Sequence, residues 1–183
     1  MRKRVLAIGA SNSKNSINKQ FAEFAAKQTP DAEVEVLDLN DFEMPIYSID
    51  REKESGIPEL AKTFKAKIKA ADFVIISFAE HNGAYTVAFK NVMDWISRLE
   101  GSTWEDKPML LLATSPGGRG GKTVLELATR SFAFMTKGAI RSYSLPSFYK
   151  NFTNTEGITD EKLREDFAIT LRLFLEAIST VAA

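Results

Sequence analysis

Seven polar residues crowd the eight positions 11–18: Ser11, Asn12, Ser13, Lys14, Asn15, Ser16 and Asn18. A short apolar run at 5–8 precedes them, the chain turns at Gly9 and Ala10, and Phe21, Phe24 and Ala25 follow at helical spacing. A buried strand, a polar turn and a helix start in that order aim backbone N–H groups and the positive end of a helix dipole at one spot. The expected occupant is an anion, most simply a phosphate. The stretch lacks G-x-x-x-x-G-K-[ST] and G-x-G-x-x-G, so it is neither a nucleotide-triphosphate loop nor a dinucleotide fingerprint. Asp38, ending the second predicted strand, stands where a ribose-binding acid would; without those glycines it reads as a surface or capping aspartate. Hydroxyl donors with the one cation Lys14 suit a phosphate monoester that is held and not transferred. The alternative is an N-cap cluster, since Ser and Asn favour helix starts, but seven polar residues exceed what a cap requires.

Two other stretches are unusual. Ala79, Glu80, His81, Asn82, Gly83 and Ala84 contain an Asn-Gly turn signal that exposes backbone amides. Thr114, Ser115, Pro116, Gly117, Gly118, Arg119, Gly120 and Gly121 carry four glycines, a density that lets a backbone lie flat against a ligand. Each alone could be a plain turn.

Strands are predicted at 5–8, 33–39, 73–78, 107–114 and 139–145. Helices are predicted at 16–27, 59–70, 84–99, 123–135 and from an N-cap at Thr159 to near Val181. The run at 73–78 is almost wholly apolar, as in a central parallel strand covered on both faces. The connection 40–58 holds Phe42, Met44, Pro45, Ile46 and Tyr47, too apolar for a free linker, and is expected to pack back on the domain. The apolar arc of 84–99 is wider than one sheet contact needs and is a candidate subunit contact. Strict alternation of strand and helix gives an α/β class, a doubly wound five-stranded parallel sheet in the order 2-1-3-4-5 with helices on both faces. Ligands of such sheets bind at the carboxyl ends of strands one, three and four, which is where the three unusual loops fall. A flavin mononucleotide fits them: a phosphate, a polyol, and a flat ring with carbonyl and N–H edges.

The 183 residues suit one domain spanning 1–183 with a sizeable core. Twenty-four basic and twenty-four acidic side chains leave no net field to draw nucleic acid. There is no cysteine, which excludes disulfides and thiolate chemistry, and one histidine, which excludes a histidine metal cluster. No apolar run spans a bilayer, so the expectation is a cytoplasmic protein without membrane partners.

The three loops together resemble the NADPH-dependent FMN reductase family, a flavodoxin-like group that includes chromate, quinone and azo reductases. The family's G-S-x-R-x-x-S-x-N is matched by Ser11, Ser16 and Asn18, with Ala10 for the glycine and Ser13 for the arginine. Its P-E-Y-N-G-S-x-P-x-x-L-K-N-x-x-D-W is matched by Glu80, Asn82, Gly83, Lys90, Asn91, Asp94 and Trp95. Its S-P-G-G-x-G-G is complete from Ser115 to Gly121. The resemblance implies that Ser11, Ser13, Ser16, Ile17 and Asn18 hold the FMN phosphate. It implies that Glu80, His81, Asn82 and Gly83 border the ribityl chain and ring through their backbone, and that Ser115, Pro116, Gly117, Gly118 and Gly120 bracket the ring's other side. Lys14 or Arg119 either replaces the missing arginine or is a solvated charge. His81, where the family has a phenol, either lines the site or is a tolerated loop residue.

The implied activity is NAD(P)H-dependent reduction of a quinone, flavin, azo compound or metal oxyanion, with NADPH or NADH as reductant and no catalytic acid, base or nucleophile from the protein. A homodimer or homotetramer is implied too. The alternative is a flavodoxin-type FMN carrier, although such carriers are usually strongly acidic and this chain is neutral. A signalling receiver would need clustered acids after strand one, where the chain reads Gly9, Ala10, Ser11, Asn12. The aromatic segment 143–152 covers the pocket, meets a second subunit, or is core edge.

Overall fold

Strands buried on both faces must lie inside a covered sheet. The computed structural model, which describes residues 2–180, has three. β1 (Lys3–Ala10) is buried from Val5 onward. β3 (Phe73–Phe78) and β4 (Met109–Thr114) are buried throughout. β2 (Ala32–Leu37) and β5 (Ile140–Leu145) form the edges, and all five pair in parallel in the predicted order β2-β1-β3-β4-β5. The chain winds out to β2 and then crosses back past β1 to β3, so the switch point lies between β1 and β3. Alternate residues feed two cores. Leu6, Ile8, Ile76 and Leu111 pack with residues of α3 (Glu59–Ala70), α4 (Val87–Ile96) and α5 (Lys122–Phe132). Val5, Ala7, Ile75 and Leu110 pack with α1 (Ile17–Lys27) and α7 (Glu161–Thr180). Each fully buried Phe, such as Phe21 or Phe174, contributes about 1.5–3 kcal/mol.

The connection 40–58 does pack back. It forms a 3-10 turn (Leu39–Phe42) and a helix absent from the sequence prediction, α2 (Ile49–Ser55), whose N-cap Ser48 accepts from the Arg51 N–H. α4 holds the segment between them. The Trp95 indole N–H donates to the Pro45 carbonyl at 2.7 Å, and the Asn91 amide binds the Met44 carbonyl at 3.0 Å and the Tyr47 N–H at 2.9 Å. Tyr47 meets the Trp95 ring edge-on at 5.0 Å. Much of the wide apolar arc of α4 is therefore used within the chain. Lys90 and Asp94 pair with each other on its exposed side.

Several predicted boundaries move. α4 begins at Val87 because His81 and Ala84 close a tight turn and Thr86 caps the helix through the Phe89 N–H. α5 starts at Lys122 and ends at Phe132. The cap of α7 is Asp160, which accepts from the Leu163 N–H at 2.9 Å; Thr159 instead donates its N–H to the Asn151 carbonyl. The expected end near Val181 lies outside the described residues. The segment after β5 forms a short helix, α6 (Phe148–Asn151), and a small hairpin of β6 (Phe152–Thr153) and β7 (Gly157–Ile158).

Candidate functional site

The loop after β1 is shaped by its own hydroxyls. Ser16 caps α1, its Oγ accepting from the Lys19 N–H at 3.1 Å, and Ser11 Oγ accepts from the Ser13 N–H at 3.2 Å. A hydroxyl that accepts still has its proton to give, so both serines remain donors. The N–H groups of Ile17 and Asn18 meet no acceptor among the described residues, the ordinary condition of a first helical turn.

Three contacts fix this loop against its neighbours. The Asn18 side chain, 2% exposed, accepts from Ser77 Oγ in β3 at 2.7 Å and from the Thr114 N–H in β4 at 3.1 Å, and it donates to the Thr114 carbonyl at 3.2 Å. The buried Thr86 hydroxyl donates to the Ala10 carbonyl at 3.0 Å. Glu80 reaches across to the third loop, where its Oε2 accepts from the Val124 N–H at 3.0 Å in the first turn of α5. A carboxylate there also meets the positive end of the helix.

The second loop is a two-residue turn. His81 and Ala84 exchange both backbone hydrogen bonds at 3.0 Å, with Asn82 at φ 52° and Gly83 at φ 76°. Two consecutive positive φ angles define the type I′ turn that Asn-Gly favours. The third loop is anchored to α6, with the Ser147 N–H on the Gly117 carbonyl at 2.9 Å and the Phe148 N–H on the Ser115 carbonyl at 3.0 Å.

Together the loops enclose about 260 Å³. Of the predicted site residues, Ser11, Ser13, Ser16, Ile17, Asn18, Glu80, His81, Ser115 and Pro116 line this cavity. Asn82 and Gly83 form the turn tip. Gly117 and Gly118 lie exposed; a Cβ on Gly118 would meet nothing within 4 Å. Gly120 is buried, its carbonyl accepting from Ser144 Oγ at 2.9 Å. Asn15, Ala79, Thr114 and Tyr149 join the lining. Tyr149 belongs to the aromatic segment whose place the sequence left open. Lys14 and Arg119 do not line the cavity, and Arg119 donates to Thr123 Oγ1. Asp38 caps the 3-10 turn and pairs with Lys19, which holds its carboxyl below the usual carboxylate range. Asp38 is thus a capping residue, as its place in the sequence suggests.

Two open N–H groups, free hydroxyl protons and a helix N-terminus suit a phosphate monoester. The enclosed volume is smaller than a whole FMN. The rim at Gly117 and Gly118 is exposed beside it.

The family model of the NADPH-dependent FMN reductases matches residues 3–150, from β1 through α6. The chain belongs to that family. A quinone reductase of Escherichia coli is 33% identical over 119 residues, 64% of this chain and 63% of that one. A 2-hydroxy-1,4-benzoquinone reductase of a Burkholderia species is 34% identical over the same shares. Both matches therefore span under two thirds of the relative. An uncharacterized Mycoplasma pneumoniae protein is 32% identical over 148 residues, 76% of this chain and 87% of that one. Among solved structures, FerB of Paracoccus denitrificans, a flavoenzyme NAD(P)H:(acceptor) oxidoreductase, superposes with a TM-score of 0.77 over 97% of this chain and 98% of its own, at 24% identity. That likeness supports the flavodoxin-like fold of this FMN reductase family member. None of its described helices is long and apolar enough to cross a membrane.

Proposed function

We propose that the chain is an FMN-dependent NAD(P)H oxidoreductase that reduces a quinone-class acceptor. The observation that carries the reading is the meeting of three loops at the switch point around open amides and hydroxyls. Ser11, Ser16 and the Ile17 and Asn18 amides would hold the phosphate. The turn at His81–Ala84 and the rim at Gly117 and Gly118 would flank the ring. FMN, when bound, supplies the hydride and electron chemistry. The chain binds and orients it and directs backbone donors toward its edge. Glu80 is engaged at α5 and serves as a brace. The names of the Escherichia coli and Burkholderia relatives support a quinone as acceptor.

The reductant is NADPH or NADH, with Ser13 standing in place of the family arginine. A cytoplasmic homodimer or homotetramer is the proposed assembly. The outward apolar side chains Ile46, Ile49 and Val87, on the covering connection and α4, support it.

Protein loaded with FMN and given NADPH or NADH should oxidise it when a benzoquinone or naphthoquinone is present, with ping-pong kinetics. Tight FMN binding with no oxidation of either nicotinamide by any quinone would contradict the proposal and leave an electron carrier.

A further inference from the structure

α1, α4 and α5 follow β1, β3 and β4, so all begin at the edge of the sheet that holds the cavity. α1 and α4 are capped by the residue just before them, Ser16 and Thr86. α5 is not. Its cap position is Gly121, left-handed at φ 72°, with no side chain to give, and its first turn holds no acidic residue. The cap comes instead from 44 positions earlier in the chain, where Glu80 Oε2 takes the Val124 N–H at 3.0 Å. The glycine loop runs directly into α5, so this one bond ties it to the loop that carries the Asn-Gly turn. Glu80 lines the same cavity as Ser115 and Pro116 of the glycine loop.

The bond also leaves a charge behind. A helix N-terminus offsets about half of one negative charge. No lysine or arginine pairs with Glu80 among the described residues, and Arg119 gives its proton to Thr123 Oγ1. No cationic side chain lines the cavity either. Glu80 is half-buried, where screening by salt is weaker than at the open surface. About half a negative charge therefore stays in the cavity wall. Such a charge beside a bound flavin favours the oxidised form, because reduction adds negative charge to the ring.

Resting on the proposed function, we infer that Glu80 is a positioning residue with an electrostatic effect of its own: its carboxylate clamps together the two loops proposed to flank the flavin ring and, only half offset by α5, holds the reduction potential of the bound flavin down.

Stepwise dithionite reduction of FMN-loaded protein against a reference dye reads the potential without nicotinamide or quinone. Glu80→Gln keeps an oxygen for the Val124 N–H and removes the charge. It should keep FMN affinity within about threefold of wild type and favour the reduced flavin by about tenfold, a rise of roughly 30 mV for a two-electron couple. Glu80→Ala removes clamp and charge together. It should raise the potential as well, lower the melting temperature through loss of the cap, and weaken FMN by about tenfold. An unchanged potential in Glu80→Gln, or wild-type FMN affinity in Glu80→Ala, would overturn the assignment. Weaker binding with no change of potential in either variant is what a structural cap alone would give, and overturns it too. If Glu80→Ala does not fold, the potential of Glu80→Gln decides. A chain that takes up no FMN would strike the proposed function instead. Thermal melts of the three flavin-free chains would then test the clamp: Glu80→Ala should melt below the other two, and equal melting of all three would overturn it.

Discussion

Replacing Asn18 by leucine should lower the stability of the folded chain by about 3–5 kcal/mol, since each buried partner left unsatisfied costs roughly 1–3 kcal/mol. Three are left: the Ser77 hydroxyl, the Thr114 N–H and the Thr114 carbonyl, in residues no more than 1% exposed. At roughly 2–4 °C per kcal/mol for a chain of this size, the melting temperature should fall by about 6–20 °C. Asn18→Asp separates the two kinds of contact. It keeps the acceptor for Ser77 and Thr114 N–H but has no donor for the Thr114 carbonyl, so its loss should lie between wild type and Asn18→Leu. Thermal melts of the three chains check the order. Equal stability of all three would mean that the contacts carry no weight. In both variants FMN affinity should also drop, by about tenfold or more in Asn18→Leu, because α1 loses its ties to β3 and β4.

Gly9→Ala should also be damaging, for a different reason. A Cβ there would lie 2.5 Å from the Lys19 Cα and 2.6 Å from the Lys19 nitrogen, both backbone atoms that cannot swing aside. The methyl can be admitted only if α1 moves away from β1. Overpacking of this kind costs about 1–3 kcal/mol or more. The displaced segment is the first turn of α1, which carries the open amides of Ile17 and Asn18. The expected result is a fall in melting temperature together with a loss of FMN affinity that high FMN concentration partly restores. A variant that melts earlier yet binds FMN as the wild type does would show that the helix start can move without cost to the site.

The sheet was legible because β3 and β4 are almost wholly apolar runs and the connections between strands are helical. Their order then placed three loops at one edge. The roles of single residues were less legible. Asn18 is an expected site residue, but its side chain serves partners 59 and 96 positions away, and only its backbone is left for a phosphate. Glu80 was expected to act through its backbone and braces α5 with its carboxylate. α2 escaped notice because none of its residues is buried, so it has no apolar period to read. α4 starts later than its pattern suggests: Ala84 and Tyr85 continue the helical period, but the chain there is held by the turn at His81 and the Thr86 cap. Tyr149 was visible as an aromatic, but its place in the cavity depends on how α6 docks on the third loop.

In the proposed site, peptide amides and neutral hydroxyls at a helix start hold the flavin phosphate, with no cationic side chain. Parallel titration with FMN and with riboflavin, followed by quenching of flavin fluorescence at low and high salt, isolates the phosphate's contribution. Charge-assisted hydrogen bonds contribute about 1.5–3 kcal/mol each, so FMN should bind about a hundredfold or more tightly than riboflavin. The advantage should change little with salt, because enclosed contacts are screened less than exposed ones. Equal affinity for the two flavins, or an FMN affinity that collapses as salt rises, would mean that the phosphate is held some other way.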